Sequence, residues 1–227
     1  MTLHEKELKE ALINLSHDLK ANFRHIDEFF KIFLEDMAEK DKQIIAENQE
    51  NIDFINLGVN KGKNLLQNFT IYRNLFDFKP KKEEIKISNY LKKWQQENEN
   101  LISEKNITIE KSLSCDEISF DPENFHLLIN EILSNAIIYN DNPPLIKIDS
   151  KIKNNKKSLS FTDNGIGIKQ QYIPKLFAAT SRVEPSYNKS GSGMGLTIVK
   201  KICDLNNYNI EIFSTEENGT TVTITEL

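Results

Sequence analysis

The sequence predicts two domains in series, an α-helical hairpin followed by an α+β sandwich. Three observations carry that prediction. Apolar residues step by three and four through two N-terminal segments, the period of an amphipathic helix. The period breaks at "DFKPKKEEIK", where Pro80 is incompatible with a continuing helix. Beyond it, short strand-like runs alternate with helical ones, the order expected when helices cover one face of a mixed sheet.

Leu8, Leu12, Leu15, Leu19, Asn22, Ile26, Phe29 and Phe33 form the first seam, apolar except at Asn22. After the charged stretch "AEKDKQ" a second seam follows: Ile52, Ile55, Val59, Gly62, Leu66, Phe69 and, later, Phe76. Two helices alone bury too little to be stable, so the seam is expected to continue across a second copy. The expectation is a homodimer closing a four-helix bundle from residues 1–79, with residues 80–227 as the second domain.

In the second domain "EEIKI" reads as a strand and "SNYLKKWQQENENLI" as a helix opened by Ser88. "NITIEKSL" and "EISF" read as strands. Asp121-Pro122 is an N-cap followed by proline in the first turn, opening a helix through "ENFHLLINEILSNAIIY". "LIKIDSKI" with "KSLSFTD" is a predicted hairpin, "GLTIVKKICDLN" a helix, and "NIEIFST" with "TTVTITEL" a closing hairpin.

Composition narrows the function. Of 227 residues, 38 % are hydrophobic and 28 % charged, the balance of an ordinary soluble protein. A net charge of -5, with no basic cluster interleaved with aromatics, argues against nucleic acid as a partner. Cys115 and Cys203 lack metal-ligand spacing and read as reduced thiols. No apolar run approaches the roughly 20 residues that cross a bilayer, so no membrane contact is expected of this segment. The expected compartment is the cytoplasm, for the chain alone or as the cytoplasmic part of a longer sensor protein.

Three constellations carry chemistry. In "NEILSNA", Glu131 and Asn135 are four apart and share a helix face; a carboxylate beside a carboxamide suits Mg²⁺. Taken alone it reads more readily as a solvated polar face. In "DNGIGI", Asp163 at a strand end can accept a hydrogen bond from a purine amine. Gly165 and Gly167 would let backbone approach closely. In "GSGMGL", Gly191, Gly193 and Gly195 open a helix whose N–H groups suit phosphates. It matches neither the P-loop nor the dinucleotide fingerprint. The polar stretch "IPKLFAATSRVEPSYNKS" between the last two reads as a lid.

In order, "NEILSNA", "DNGIGI", "LF" before a lid, "GSGMGLTIVKKI" and "GTTVTI" resemble the asparagine, glycine and phenylalanine boxes of sensor histidine kinases. "SHDLK" is similar to their phosphoacceptor box. The resemblance spans nearly the whole chain. It implies a dimerisation and histidine-phosphotransfer domain followed by an ATP-binding domain of the gyrase, Hsp90, histidine kinase and MutL type. By that resemblance His17 is the phosphoacceptor and Asp18 its base. Asn135 ligates Mg²⁺, with Glu131 beside it as ligand and catalytic residue. Asp163 meets the adenine amine, Gly165 and Gly167 shape that wall, and Tyr139 lies beside the base. Gly191, Gly193 and Gly195 border the triphosphate, Phe177 anchors the lid, Arg182 reaches phosphate and Thr221 lines the pocket floor. The implied activity is autophosphorylation from ATP and transfer to an aspartate of a response regulator.

The heptad agrees with the role of His17. With Leu15 and Leu19 on the seam, His17 and Asp18 fall on the outer side, where an imidazole with pKa near ~6.5 is free to act. Departures from the pattern are Asn22 in place of proline, Ala21 in place of the Thr or Asn associated with phosphatase activity, and Ile138 in place of a phosphate-binding cation. These leave two alternatives beside the kinase: a degenerate kinase acting as a dimeric nucleotide-binding scaffold, and an ATPase whose first domain only dimerises.

Overall fold

The computed structural model describes residues 3–40, 42–178 and 193–227, with side chains described for 19–38, 43–178 and 193–227. It divides into two compact units, Met1–Arg73 and Asn74–Leu227.

The first unit is a helical hairpin of α1 (Leu3–Lys40), the short α2 (Lys42–Glu47) and α3 (Gln49–Asn74). The hairpin closes where Gly62 lies against the Phe23 ring; a Cβ at that glycine would come within 2.3 Å of the ring. One step further along α1, Asp27 accepts from Lys63 at 2.6 Å and from Lys31 at 3.1 Å. The two ammonium groups, Lys63 foremost, hold the Asp27 carboxyl below its ordinary range.

Phe23 and Asp27 therefore make the contact on the α1 side, where the predicted α1 seam faces elsewhere, whereas Gly62 of the predicted α3 seam takes part in it. Leu19, Ile26, Phe29 and Phe33 of α1 are exposed, Phe29 by 71 %, as are Phe54 and Ile55 of α3. Val59 and Leu66 are the buried residues of α3.

In the second unit, β1 (Glu83–Lys86) pairs antiparallel with β3 (Glu117–Phe120). The larger sheet contains β2 (Thr108–Leu113), β4 (Leu145–Lys153), β5 (Lys156–Asp163), β6 (Tyr208–Ser214) and β7 (Thr220–Glu226). Its order is β2-β4-β5-β7-β6, parallel only between β2 and β4. The helices are α4 (Ile87–Glu97), α5 (Glu99–Glu104), α6 (Pro122–Ile138) and α7 (Gly195–Asn206), with a 3-10 turn at Gln170–Lys175. The fold is thus the α-helical region followed by an α+β sandwich that the sequence predicts.

The core lies between the sheet and the helices. Ile146, Ile148, Leu159 and Ile224 on the strands are fully buried, as are Leu128, Leu133, Ile198 and Ile202 on α6 and α7. At about 25 cal/mol per Å² of apolar surface, such side chains contribute roughly 2 kcal/mol each.

Local signals hold in most places. Asp121 caps α6, its side chain accepting from the Asn124 N–H with Pro122 in the first turn. The β4–β5 hairpin turns at Asn154 and Asn155, both at positive φ, as tight hairpins of this kind require. One expectation is corrected. Ser88 does not cap the helix that the sequence has it open, because α4 begins at Ile87 without a side-chain cap. Both the N–H and the hydroxyl of Ser88 go to Asp116 instead. That helix is also broken at Asn98, whose side-chain amide donates to the Trp94 carbonyl and separates α4 from α5.

Candidate functional site

The site is built on α6. Its apolar side, including Phe125, Leu128, Ile132 and Ala136, is buried, which leaves Glu131 and Asn135 on the half-open side. The N-terminus of α7 meets this pair. A Cβ on Gly195 would lie 2.7 Å from Glu131 Oε2 and 3.2 Å from Asn135 Nδ2, so the absence of a side chain leaves the helix start directly against the pair. At their other ends the two helices are tied together: Asn206 of α7 accepts from the Asp121 N–H, and Asp121 also accepts from the Lys81 N–H.

Burial pushes the Glu131 carboxyl up to about 7. Among the described residues no group of three or more His, Cys, Asp or Glu could hold a metal. One carboxylate and one carboxamide are a sparse donor set, of the kind that suits Mg²⁺ held jointly with substrate phosphates and water.

The last turn of α6 leads to a second group. Tyr139 closes the helix, its N–H donating to the Asn135 carbonyl. Its own carbonyl accepts from Ile166 N–H at 3.0 Å and stands 2.5 Å from where a Gly165 Cβ would sit. Asp163, at the end of β5, accepts from Gly165 N–H at 2.8 Å and Thr220 N–H at 3.1 Å. Both donors converge on Oδ1, and among the described residues no donor reaches Oδ2. Burial raises the Asp163 carboxyl above its ordinary range, and the two N–H groups oppose that rise.

Glycine is required at two positions here. Gly167 has φ +68° and a Cβ there would be 2.0 Å from the Thr215 carbonyl oxygen. Gly219 has φ +75° and would meet the Asp163 carbonyl oxygen at 1.9 Å. The loop after β5 and the turn between β6 and β7 therefore pack backbone on backbone.

The structure brings Glu131, Asn135 and Gly195 together, and Tyr139, Asp163, Gly165 and Gly167 together, with α6 joining the groups. Gly193, at φ +75°, stands just before α7, and Phe177 is half-buried beyond the 3-10 turn. Gly191 and Arg182 lie outside the described residues. His17 and Asp18 lie in α1, whose backbone is described there but not its side chains.

Thr221 is not brought to this group. Alternation along β7 turns it away from Val222 and Ile224, and its hydroxyl is shared with Thr162 at 3.0 Å. Thr220, one residue earlier, is the threonine whose N–H meets Asp163. Buried Val222 and Ile224 stand two and four residues after Thr220, a period-2 signal that could have identified the correct face. Sequence reasoning likewise misses Ser214 and Gly219 as site residues, since their roles arise only from strand register.

Comparison with known proteins gives the lineage. Residues 120–227 match the family described as histidine kinase-, DNA gyrase B-, and HSP90-like ATPases. These residues therefore resemble an ATP-binding domain of that group. The chain is similar to the signal transduction histidine-protein kinase ArlS of Staphylococcus aureus, 37 % identical over 110 residues. That stretch is 48 % of this chain and 24 % of the relative, so the match spans about a quarter of the relative's length. Among solved structures, full-length ShkA in complex with AMPPNP covers 96 % of this chain and 45 % of its own, at TM-score 0.67 and 15 % identity. Histidine kinase ThkA in complex with response regulator protein TrrA covers 97 % and 63 %, at TM-score 0.61 and 17 % identity. At such identities these structures speak to the fold. The resemblance of the sequence to sensor histidine kinases is borne out.

Proposed function

We propose that the chain is an ATP-dependent protein histidine kinase, which phosphorylates its own His17 and passes the phosphoryl group to an aspartate of a response regulator. The observation that carries the proposal is the histidine kinase-type ATPase domain, with Asp163 and the Glu131–Asn135 pair assembled, on the same chain as the "SHDLK" helix. Asp163 Oδ2 accepts from the adenine amine, since Oδ1 is taken by backbone donors. The N-terminal N–H groups of α7 and the preceding glycines meet the triphosphate. Glu131 and Asn135 would hold Mg²⁺, which when bound offsets the charge of the triphosphate.

In the transfer step, neutral His17 attacks the γ-phosphorus. A P–N bond forms, the bond from γ-phosphorus to the β–γ bridging oxygen breaks, and ADP leaves with that oxygen. Asp18 takes the proton from the other ring nitrogen, which keeps the imidazole from carrying the full positive charge.

Residues 1–79 serve as the dimerisation and phosphotransfer domain and residues 80–227 as the ATP-binding domain. The outward seam of Leu19, Ile26, Phe29 and Phe33 supports a homodimeric four-helix bundle, because a second copy would bury it. A response regulator as recipient is supported by the likeness to ThkA, a histidine kinase solved in complex with response regulator protein TrrA. The working compartment is the cytoplasm, and among the described residues no helix is long and apolar enough to cross a membrane.

The test is incubation with γ-labelled ATP and Mg²⁺ beside His17→Ala and Asn135→Ala. Acid-labile label on the wild type, absent from both variants, is expected. ATP turnover without protein label would instead indicate an ATPase, and neither would leave a nucleotide-independent scaffold.

A further inference from the structure

At the end of the larger sheet, three strands carry a row of polar residues on the core-facing side. Val222 of β7 pairs with Phe161 of β5 on one side and Ile212 of β6 on the other, an apolar row. Two residues along, the same face carries Asp163, Thr220 and Ser214. Ser214 pairs with Thr220 in the ladder, and Thr220 N–H donates to Asp163.

Ser214 is buried, and its hydroxyl is saturated. It accepts from Ile168 N–H at 2.8 Å, donates to the Gly219 carbonyl at 2.7 Å, and lies 2.9 Å from Thr220 Oγ1. A hydroxyl has one proton and two lone pairs, and these three contacts use all of them. The Ser214 carbonyl accepts in addition from Gln170 Nε2 at 2.6 Å. One serine thus fastens the loop after β5, the β6–β7 turn and the first residue of β7. Elsewhere those segments meet mainly through backbone, as where Glu217 N–H donates to the Ile166 carbonyl at 2.8 Å.

We infer that Ser214 is a positioning residue for base selectivity, holding Thr220 and the glycine loop so that Asp163 presents one fixed oxygen to the purine amine. The inference rests on the reading of Asp163 as the adenine-recognising group. Without the hydroxyl, the Ile168 N–H and the Gly219 carbonyl lose their partner, and the Thr220 clamp on Asp163 Oδ1 loosens. The carboxylate then samples several orientations, and the hydrogen bond that distinguishes adenine from an amine-free purine weakens. A residue that only supports the fold would weaken binding of both bases alike.

The experiment is calorimetric titration of the full chain with a non-hydrolysable ATP analogue and with its counterpart lacking the exocyclic amine. Wild type, Ser214→Ala and Ser214→Thr are compared. The wild type is expected to prefer the amine-bearing nucleotide, Ser214→Ala to narrow that preference about tenfold, and Ser214→Thr, which keeps the hydroxyl, to restore most of it. Should the alanine variant fail to fold, Ser214→Cys keeps the shape with a weak hydrogen bonder and carries the same expectation. An unchanged preference ratio in the alanine or cysteine variant overturns the inference, whether or not overall affinity drops. A wild type that binds both nucleotides equally overturns the reading of Asp163 itself.

Discussion

Two carboxylates on the ATPase domain behave differently because their surroundings differ. Asp163 has one oxygen held by two backbone N–H groups. Asp163→Asn is expected to keep that clamp through its carbonyl oxygen while turning the second position from acceptor to donor. Adenine nucleotide affinity should then fall by about tenfold or more at unchanged thermal stability, as read by calorimetry. Glu131 is held near 7 by burial alone. The folded protein keeps its proton up to that pH, whereas the unfolded chain releases it near the ordinary 4.5. Stability of the protein free of metal and nucleotide therefore falls as pH rises from 4.5 to 7, by on the order of 2–3 kcal/mol. Glu131→Gln removes that dependence, and urea unfolding in EDTA across this range checks it; parallel slopes in both proteins would count against it. The carboxylates and glycines were legible in the sequence because their chemistry is local. Thr220 and Ser214 were not, because which threonine faces Asp163 depends on register across three strands.

At the scale of elements, short-range signals identified what they determine. The cap at Asp121, the asparagine turn after β4 and the helix "GLTIVKKICDLN" all appear where the residues place them. Ser88 misled because a good capping residue had a better offer: Asp116, distant in sequence, takes both its N–H and hydroxyl. The backbone-on-backbone packing of the β6–β7 turn makes a prediction of its own. Gly219→Ala places a Cβ into the Asp163 carbonyl at a positive φ. It should destabilise the second unit by about 3 kcal/mol or more, visible as a lowered denaturation midpoint. An alanine variant as stable as the wild type would mean that the turn has room to shift.

For the whole molecule, the hairpin leaves the predicted α1 seam exposed and closes through Phe23 and Asp27 of α1 against Gly62 and Lys63 of α3, Gly62 belonging to the predicted α3 seam. The sequence showed a periodic stripe on each helix but not which partner each serves, because on α1 the hairpin contact is made one residue along from the stripe, by Phe23 and Asp27. If the stripe is the dimer seam, Phe29→Glu with Phe33→Glu converts a dimer to a folded monomer, as sedimentation velocity would read. A dimer that survives both changes would require a different surface. The central claim is that this ATP site serves His17, and locating the phosphoryl group tests it most directly. After incubation with ATP and Mg²⁺, fragment mass spectrometry under neutral conditions should find a phosphoramidate on His17 that acid removes. Phosphate on another residue, or a chain that consumes ATP and stays unmodified, would contradict the account.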